Sequence, residues 1–251
     1  MFYFDDFFGK KVLKSSLLKN LEHFFTTRDF VLTAGELTEI QDICIENRKQ
    51  LCENLKIENK RLFTIKQTHS SNINVLDEKI NHYDDCDAIV SDIENSVAIL
   101  NFADCVPIIL YDEKKNIAAV VHAGWRGTEA EIVKKTVLKM QSEFSSTSED
   151  IIAVIGPAIG KCCFSTDEEV FNKLIKNSDV KDEYTYDKHS DKYYIDLKLL
   201  NKKQLLDTGL VKIDVCDYCT SCMSNIFFSY RKESGKTARH SAIVKLGKRE
   251  K

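Results

Sequence analysis

Proline and glycine are scarce in this chain, whose 251 residues include 2 prolines, 9 glycines and 1 tryptophan. Such a composition excludes a collagen-like repeat and argues against a low-complexity arm. Long apolar runs are missing as well, since no uninterrupted stretch approaches the roughly 20 residues that span a bilayer. The sequence therefore predicts a compact globular protein that has no membrane partner.

An excess of either charge is also absent, because 36 Lys+Arg oppose 39 Asp+Glu for a formal net charge of −3. Nucleic-acid binding usually needs a basic face, so no nucleic-acid partner is expected. The stretch Met1–Phe8 is apolar but carries two acids and follows no basic region, which is unlike a secretory signal. The 9 cysteines are therefore expected to stay reduced in the cytoplasm.

Apolar periodicity predicts an α+β fold with a mixed sheet, because helices separate clusters of strands without alternating strictly with them. No composition break divides the chain, so we expect one domain over residues 1–251. Helices are predicted over residues 36–56, 129–144, 168–175 and 197–208. Strands are predicted over residues 62–66, 73–76, 88–91, 97–102, 106–111, 117–121, 151–155, 193–195, 211–216 and 225–230.

A predicted hairpin carries the most informative residues of the chain. If its loop is the pair Glu113-Lys114, paired positions sum to 227 and Cys105 lies directly opposite His122. Cβ atoms of such neighbours lie about 4.5–5.5 Å apart. A shift of the register by one residue would turn the two side chains to opposite faces. In this register a thiolate and an imidazole, both typical zinc ligands, meet at one end of the hairpin.

His69 is the best candidate for a third ligand, because it follows a strand in the polar turn Gln67–Ser71. A catalytic zinc commonly has three protein ligands and one open position. Spacing alone does not prove this choice, and Cys105 could equally be a small apolar core residue. The other histidines, at positions 23, 82, 189 and 240, stand among polar neighbours and are interpreted as surface residues.

The residues after His122 predict an anion site. Thr128 and Glu131 have the spacing of a capping box, so the turn Gly124–Gly127 would open onto a helix N-terminus. Exposed amides there favour phosphate, and the guanidinium of Arg126 would add charge. The alternative is an ordinary cap with a solvated Arg126. A second capping box is predicted at Thr166 and Glu169, after the turn Gly156–Gly160, which could line a pocket or only reverse the chain.

Two further motifs remain ambiguous. Cys216, Cys219 and Cys222 have metal-ligand spacing, but no second Cys or His pair stands nearby in the sequence, so core or partly exposed thiols are favoured. The segment from Phe227 to Arg239 combines a predicted strand with basic residues, and either a solvated edge or a contact to phosphate or carboxylate would explain it.

Taken together, these motifs resemble the laccase-domain proteins, also called polyphenol oxidase-like and regarded as purine nucleoside phosphorylases. The resemblance covers roughly residues 60–245. Two positions depart from the family pattern, Phe102 for the usual Thr and Ala238 for the usual Gly. The matching segments are Gln67-Thr68-His69, Asp87-Ala88, residues 103–107 (ADCVP), 122–127 (HAGWRG), 156–164 (GPAIGKCCF) and 227–231 (FFSYR).

The resemblance implies a layered sandwich of mixed sheets flanked by helices, as a monomer or homodimer. It implies a zinc ion bound by His69, Cys105 and His122, and phosphorolysis of adenosine, inosine, guanosine and methylthioadenosine, together with deamination of adenosine. Zinc would activate a water for deamination. For phosphorolysis, Arg126 and Arg231 are candidates to bind phosphate, and Asp104 to act as an acid or base or to orient a water.

Three other functions stay open. A His₂Cys site also takes copper, so a copper-dependent phenol oxidase is one alternative, although 6 histidines are too few for a multicopper assembly. A hydrolase with Cys105 as nucleophile and His122 as base is another. The third is a non-enzymatic binding module in which zinc only stabilises the fold.

Overall fold

The fold is seen in a computed structural model that describes residues 1–80, 82–176 and 184–248. Its helices are α1 (Gln41–Asn54), α2 (Trp125–Glu129), α3 (Ile132–Phe144), α4 (Glu168–Ile175) and α5 (Leu197–Asp207). The first eight strands are β1 (Phe2–Phe7), β2 (Lys10–Ser15), β3 (Glu22–Thr26), β4 (Leu62–Ile65), β5 (Ile73–Val75), β6 (His82–Tyr83), β7 (Ala88–Ser91) and β8 (Ser96–Phe102). The remaining strands are β9 (Val106–Asp112), β10 (Ile117–Ala123), β11 (Ile151–Ile155), β12 (Ser165–Thr166), β13 (Tyr184–Asp187), β14 (Lys192–Ile195), β15 (Lys212–Val215) and β16 (His240–Leu246).

The strands form two large mixed sheets and one small one. A seven-stranded sheet has the order β1-β2-β3-β16-β8-β4-β6, and a six-stranded sheet the order β15-β11-β9-β10-β7-β5. Strands β12, β14 and β13 make the three-stranded sheet. The segments β4–β5 and β8–β9 each pass from the seven-stranded sheet to the six-stranded one. These crossovers bring loops from both sheets to a common edge.

Both faces of the six-stranded sheet are buried, because successive side chains of its central strands point alternately into two different cores. Strands of this kind are rich in β-branched residues. Leu100 of β8 and Ile109 of β9 belong to the core between the two large sheets. Val106 and Ile108 of β9 face the opposite way, where Val133 of α3 packs. Helix α1 covers the outer face of the seven-stranded sheet. The layers therefore run helix, sheet, sheet, helix, which confirms the predicted α+β sandwich of mixed sheets flanked by helices.

None of the helices in the described ranges combines the length and the apolar character that a membrane span needs.

The hairpin register differs from the predicted one. Ile117 pairs with Asp112, and His122 with Pro107, so paired positions sum to 229 and not to 227. The loop has four residues because the Asp112 carboxylate accepts a hydrogen bond from the Lys115 amide, at 3.1 Å, and Asn116 adopts a left-handed conformation with φ of 52°. Since the two registers differ by an even number, side chains keep their predicted faces.

Several local predictions were wrong. Helix α1 begins at Gln41, after a 3₁₀ turn, and not at residue 36. Thr128 lies inside α2, where its hydroxyl accepts a hydrogen bond from Asn201, so it is not a cap. Glu131 precedes α3 in a left-handed conformation without a capping hydrogen bond. The cap of α4 is Asp167, whose carboxylate accepts from the Val170 amide, and not Thr166.

Further predictions about strands and histidines were also wrong. Residues 225–230 form turns and not a strand, because the amides of Ile226 and Phe227 donate to the Met223 carbonyl. His23 and His240 are buried and not on the surface. His23 accepts a hydrogen bond from the Ser15 amide, and His240 lies between the rings of two phenylalanines. Seven strands were not predicted: β1, β2, β3, β6, β12, β13 and β16.

Candidate metal centre

The loop between β4 and β5 presents His69 at the edge where the two large sheets meet. His69 has a left-handed backbone, with φ of 61°, which is uncommon for a residue other than glycine. The buried carboxylate of Asp87 stabilises this turn because it accepts hydrogen bonds from the amides of His69, at 3.0 Å, and Ser70, at 2.7 Å. The imidazole is thereby held at a defined place.

Cys105 follows β8 and stands opposite Gly124 when the observed hairpin register is extended by one pair. A Cβ atom on Gly124 would lie 3.0 Å from the Cys105 sulfur and 3.1 Å from Cδ2 of His69. A larger residue at position 124 would therefore press on both ligand-type side chains, which glycine leaves undisturbed. His122 lies two residues before Gly124 on the same face of β10, so it points to the same place.

His122 is oriented by Asp87 as well. Its Nδ1 atom lies 2.8 Å from Oδ1 of Asp87 in the buried interior, which leaves Nε2 for another partner. Metal-bound histidines usually have such a carboxylate on the second ring nitrogen. The ligand atoms of His69, Cys105 and His122 all lie within 4.8 Å of one another. The structure thus brings together the three residues that the sequence predicted as metal ligands.

Charge in this group is separated between the sulfur of Cys105 and the ring of His122. Burial alone would raise the pKa of Cys105, but the charge and hydrogen bonds of His122 and a hydrogen bond from His69 lower it to about 6. Burial opposes the charge on His122, yet the Cys105 thiolate and Asp87 raise its pKa to about 9. The hydrogen bonds and charge of His122 hold the pKa of Asp87 well below its usual range despite burial. Near pH 7 Cys105 is therefore a thiolate, the form that binds metals.

A cavity of about 630 Å³ opens beside these three side chains. Its volume is typical of small-molecule sites, which span about 300–1,000 Å³. The lining combines apolar and aromatic residues with polar groups: Ile65, Trp125, Ile159, Phe164, Leu197 and Tyr230 on one hand, Gln67, Asn101, Asp104, Arg231 and Arg239 on the other. This arrangement suits a ligand with a flat apolar part and a polar or charged part.

Asp104 and Arg231, both predicted as site residues, line the cavity and contact each other. The Asp104 carboxylate accepts hydrogen bonds from the Thr220 hydroxyl, at 2.6 Å, and from the Arg231 amide, at 2.7 Å. The Arg231 guanidinium donates to the Cys163 carbonyl and to Ser165. Asp104 thus fixes the backbone of Arg231, while Cys163 and Ser165 hold its charged end.

Arg126, the third residue predicted to act on substrate, lies elsewhere. It is exposed on the short helix α2, and its guanidinium stacks 4.3 Å from the ring centre of Trp125. It lines a neighbouring depression together with His69 and Lys173. This depression shares His69 and Trp125 with the cavity, but Arg126 itself does not line the cavity.

The N-terminal part of the chain also contributes to the cavity, which the motifs did not reveal. Thr33, Gly35 and Glu36 line it, and the Glu36 carboxylate accepts a two-pronged hydrogen bond from Arg239 at 2.8 and 2.9 Å. Contacts of this kind join segments about 200 residues apart, so no local sequence pattern signals them.

Comparisons with known proteins show which family the chain resembles. A purine nucleoside phosphorylase from Clostridium acetobutylicum is 35% identical over 183 residues, which is 72% of this chain and 75% of that protein. An adenosine deaminase from an unknown prokaryotic organism is 32% identical over 208 residues, covering 77% of this chain and 79% of that protein. The crystal structure of YlmD from Geobacillus stearothermophilus superposes with a TM-score of 0.88 at 26% identity, over 98% of this chain and 99% of the other. A family model described as multi-copper polyphenol oxidoreductase laccase matches residues 34–247, and the chain belongs to that family.

Proposed function

We propose that this protein is a zinc-dependent purine nucleoside phosphorylase that also deaminates adenosine. The observation that carries the proposal is the convergence of His69, Cys105 and His122 at the wall of a cavity of nucleoside-binding size. Relatives named purine nucleoside phosphorylase and adenosine deaminase support an enzyme that acts on nucleosides. The substrates would be adenosine, inosine, guanosine and methylthioadenosine, with phosphate as the second substrate.

The donor set suits a zinc ion, because one thiolate and two imidazoles leave a fourth position open in a tetrahedral site. When bound, the ion would supply Lewis acidity at the cavity wall. The same donors accept copper, so finding copper in a preparation would not establish oxidase chemistry. Asp87 acts through His122 by keeping the proton on Nδ1 and Nε2 available for the ion.

The chain's own residues would bind and orient the two substrates. A purine can stack on the apolar side of the cavity, where Trp125 and Phe164 lie. Arg231 offers a fixed guanidinium that suits phosphate, which it would hold near the ribose. Since both carboxylate oxygens of Asp104 accept hydrogen bonds, we assign Asp104 to positioning Arg231 in preference to acid or base catalysis. Arg126, which lies in the adjoining depression, would attract anions toward the site.

Chromatography of the products from adenosine or inosine, with and without phosphate, tests the proposal. Zinc-loaded protein should release adenine or hypoxanthine with ribose-1-phosphate only when phosphate is present, and should convert part of the adenosine to inosine. His122→Ala should lose both activities, whereas His189→Ala, a change at an exposed histidine of another turn, should keep them. Full activity of a zinc-treated His122→Ala protein would refute the proposed centre.

A cysteine hydrolase is the second candidate, because Cys105, His122 and Asp87 stand in the order of a nucleophile, a base and an orienting carboxylate. The two candidates differ in their response to metal removal. A metalloenzyme loses activity on chelation and regains it with zinc. A cysteine hydrolase stays active without metal and is inactivated by iodoacetamide.

Two further outcomes would point to other functions. Phenol oxidation without nucleoside cleavage would favour the copper oxidase. A protein that only unfolds on chelation, and never cleaves nucleosides, would favour a binding module.

A further inference from the structure

Four cysteines outside the candidate metal centre form a second cluster. Cys162 and Cys163 lie in the loop after β11, and Cys219 and Cys222 lie in the segment after β15. The four sulfur atoms all lie within 4.8 Å of one another. The parallel pairing of β11 with β15, continued by a bridge between Ala158 and Cys219, brings the two segments together.

The sulfur positions suit a tetrahedral ion better than a disulfide. With zinc–sulfur bonds of about 2.3 Å, the sulfurs of a tetrathiolate site lie about 3.8 Å apart. The sulfur of Cys222 lies 3.5 Å from those of Cys162 and Cys163, whereas a disulfide needs about 2.05 Å. Cys219 and Cys222 also have the two-residue separation common in structural zinc sites.

The backbone around the cluster supports one centre. The amides of Cys163 and Phe164 both donate to the Gly160 carbonyl at 2.9 Å, so the cysteine pair lies in a helical turn. Successive side chains of such a turn point about 100° apart. Both sulfurs nevertheless reach one point, because each lies 3.5 Å from the Cys222 sulfur. The Gly160 amide donates to the Cys219 sulfur at 3.2 Å, and a Cβ on Gly160 would lie 3.4 Å from the Cys162 sulfur.

We propose that Cys162, Cys163, Cys219 and Cys222 bind one zinc ion in a closed structural site. The ion would replace the thiol protons and cross-link two segments that shape the cavity. Phe164, next to the cysteine pair, and Ile159, three residues before Cys162, line the cavity. Thr220, between the other two cysteines, donates to Asp104, and Cys163 accepts from Arg231. The site would therefore hold the cavity wall in place.

The experiment is zinc analysis of the full-length chain, in a His69→Ala/His122→Ala background that removes the other candidate site. This background should retain about one zinc per chain. Adding Cys162→Ser/Cys222→Ser should remove it. Adding Cys216→Ala should not, because Cys216 is a buried cysteine of the same segment that lies outside the cluster. Zinc-free background protein, or zinc retained by the serine variant, would overturn the proposal.

Cobalt absorption keeps the test decisive if the serine variant fails to fold. Cobalt loaded into the His69→Ala/His122→Ala protein should give the thiolate charge-transfer and ligand-field bands of a tetrahedral tetrathiolate site. A cobalt spectrum without these bands would overturn the proposal, and so would a Cys162–Cys222 or Cys163–Cys222 disulfide in protein prepared without oxygen. Because the background lacks two ligands of the first centre, failure here leaves the proposed nucleoside chemistry unaffected.

Discussion

A single buried carboxylate connects two of the three candidate metal ligands. Asp87 accepts hydrogen bonds from the backbone of the His69 turn and from the ring of His122. Its contacts explain both the left-handed backbone at His69 and the orientation of His122. Asp87 carries no ligand atom of the cluster, so its influence on a bound ion is indirect.

Replacing this carboxylate by an amide should weaken zinc binding. In Asp87→Asn the amide keeps the shape but loses the charge that favours the His122 Nδ1 proton, so zinc affinity should fall about 10- to 100-fold. Competition with a chromogenic chelator measures the change. Asp85→Asn is the matched control, since the exposed Asp85 accepts from Thr68 in the same turn without touching a ligand side chain. Equal affinities of the two variants would contradict the role given to Asp87.

Gly124 allows a test of how closely the ligands approach. Its backbone, with φ of −71° and ψ of 178°, suits alanine, so the only obstacle to Gly124→Ala is contact with Cys105 and His69. We expect the variant to fold with an unchanged melting temperature while zinc per chain falls sharply. Gly247→Ala, where an added Cβ meets nothing within 4 Å, should behave as wild type. Normal zinc content in Gly124→Ala would mean that the ligands do not meet beside this glycine.

At the scale of secondary-structure elements, the hairpin of β9 and β10 shows how much of the site could be predicted from the sequence. The run of apolar β-branched residues predicted both strands, and the motifs around Cys105 and His122 predicted the cluster. The register was wrong because a side-chain hydrogen bond from Asp112 and the left-handed Asn116 lengthen the loop. The two side chains still converge, since the error was an even number of positions.

Strands that pair with segments far away in the chain have no comparable pattern in the sequence. Strand β16 pairs with β3, placing Ala242 opposite Phe25, and neither segment alternates strongly enough to predict a strand by itself. For the same reason the partner of the Cys219–Cys222 pair was missed, because it lies almost 60 residues earlier and only the pairing of β11 with β15 brings it close. The capping boxes failed because Thr128 lies inside α2, and because Asp167, one residue after Thr166, caps α4.

The junction between β11 and β3 gives a prediction about stability. A Cβ on Gly156, just after β11, would overlap the ring of Phe25 in the core between the sheets. Gly156→Ala should therefore lower the free energy of unfolding by about 1–3 kcal/mol. Urea denaturation measures it. Adding Phe25→Leu should restore part of the loss, so the double variant should be more stable than the sum of the single changes allows. Strict additivity would show that the two residues do not compete for space.

At the scale of the whole molecule, the site exists because the chain crosses between two stacked sheets at one edge. His69 lies on the crossover from β4 to β5, and Cys105 on the crossover from β8 to β9. His122 lies near the end of the central strand β10, and the segment before β16 closes the cavity with Tyr230 and Arg239. Ligands from three separate segments can thus be held rigidly by a core that is buried on both faces.

X-ray diffraction from zinc-grown crystals, measured on both sides of the zinc absorption edge, tests the central claim most directly. We expect an anomalous peak about 2.0–2.3 Å from the Cys105 sulfur and from one ring nitrogen each of His69 and His122. The peak should vanish below the edge, which distinguishes zinc from copper. The absence of a peak among these three side chains in zinc-replete crystals, or an imidazole turned away from the sulfur, would contradict the metal centre and the chemistry proposed from it.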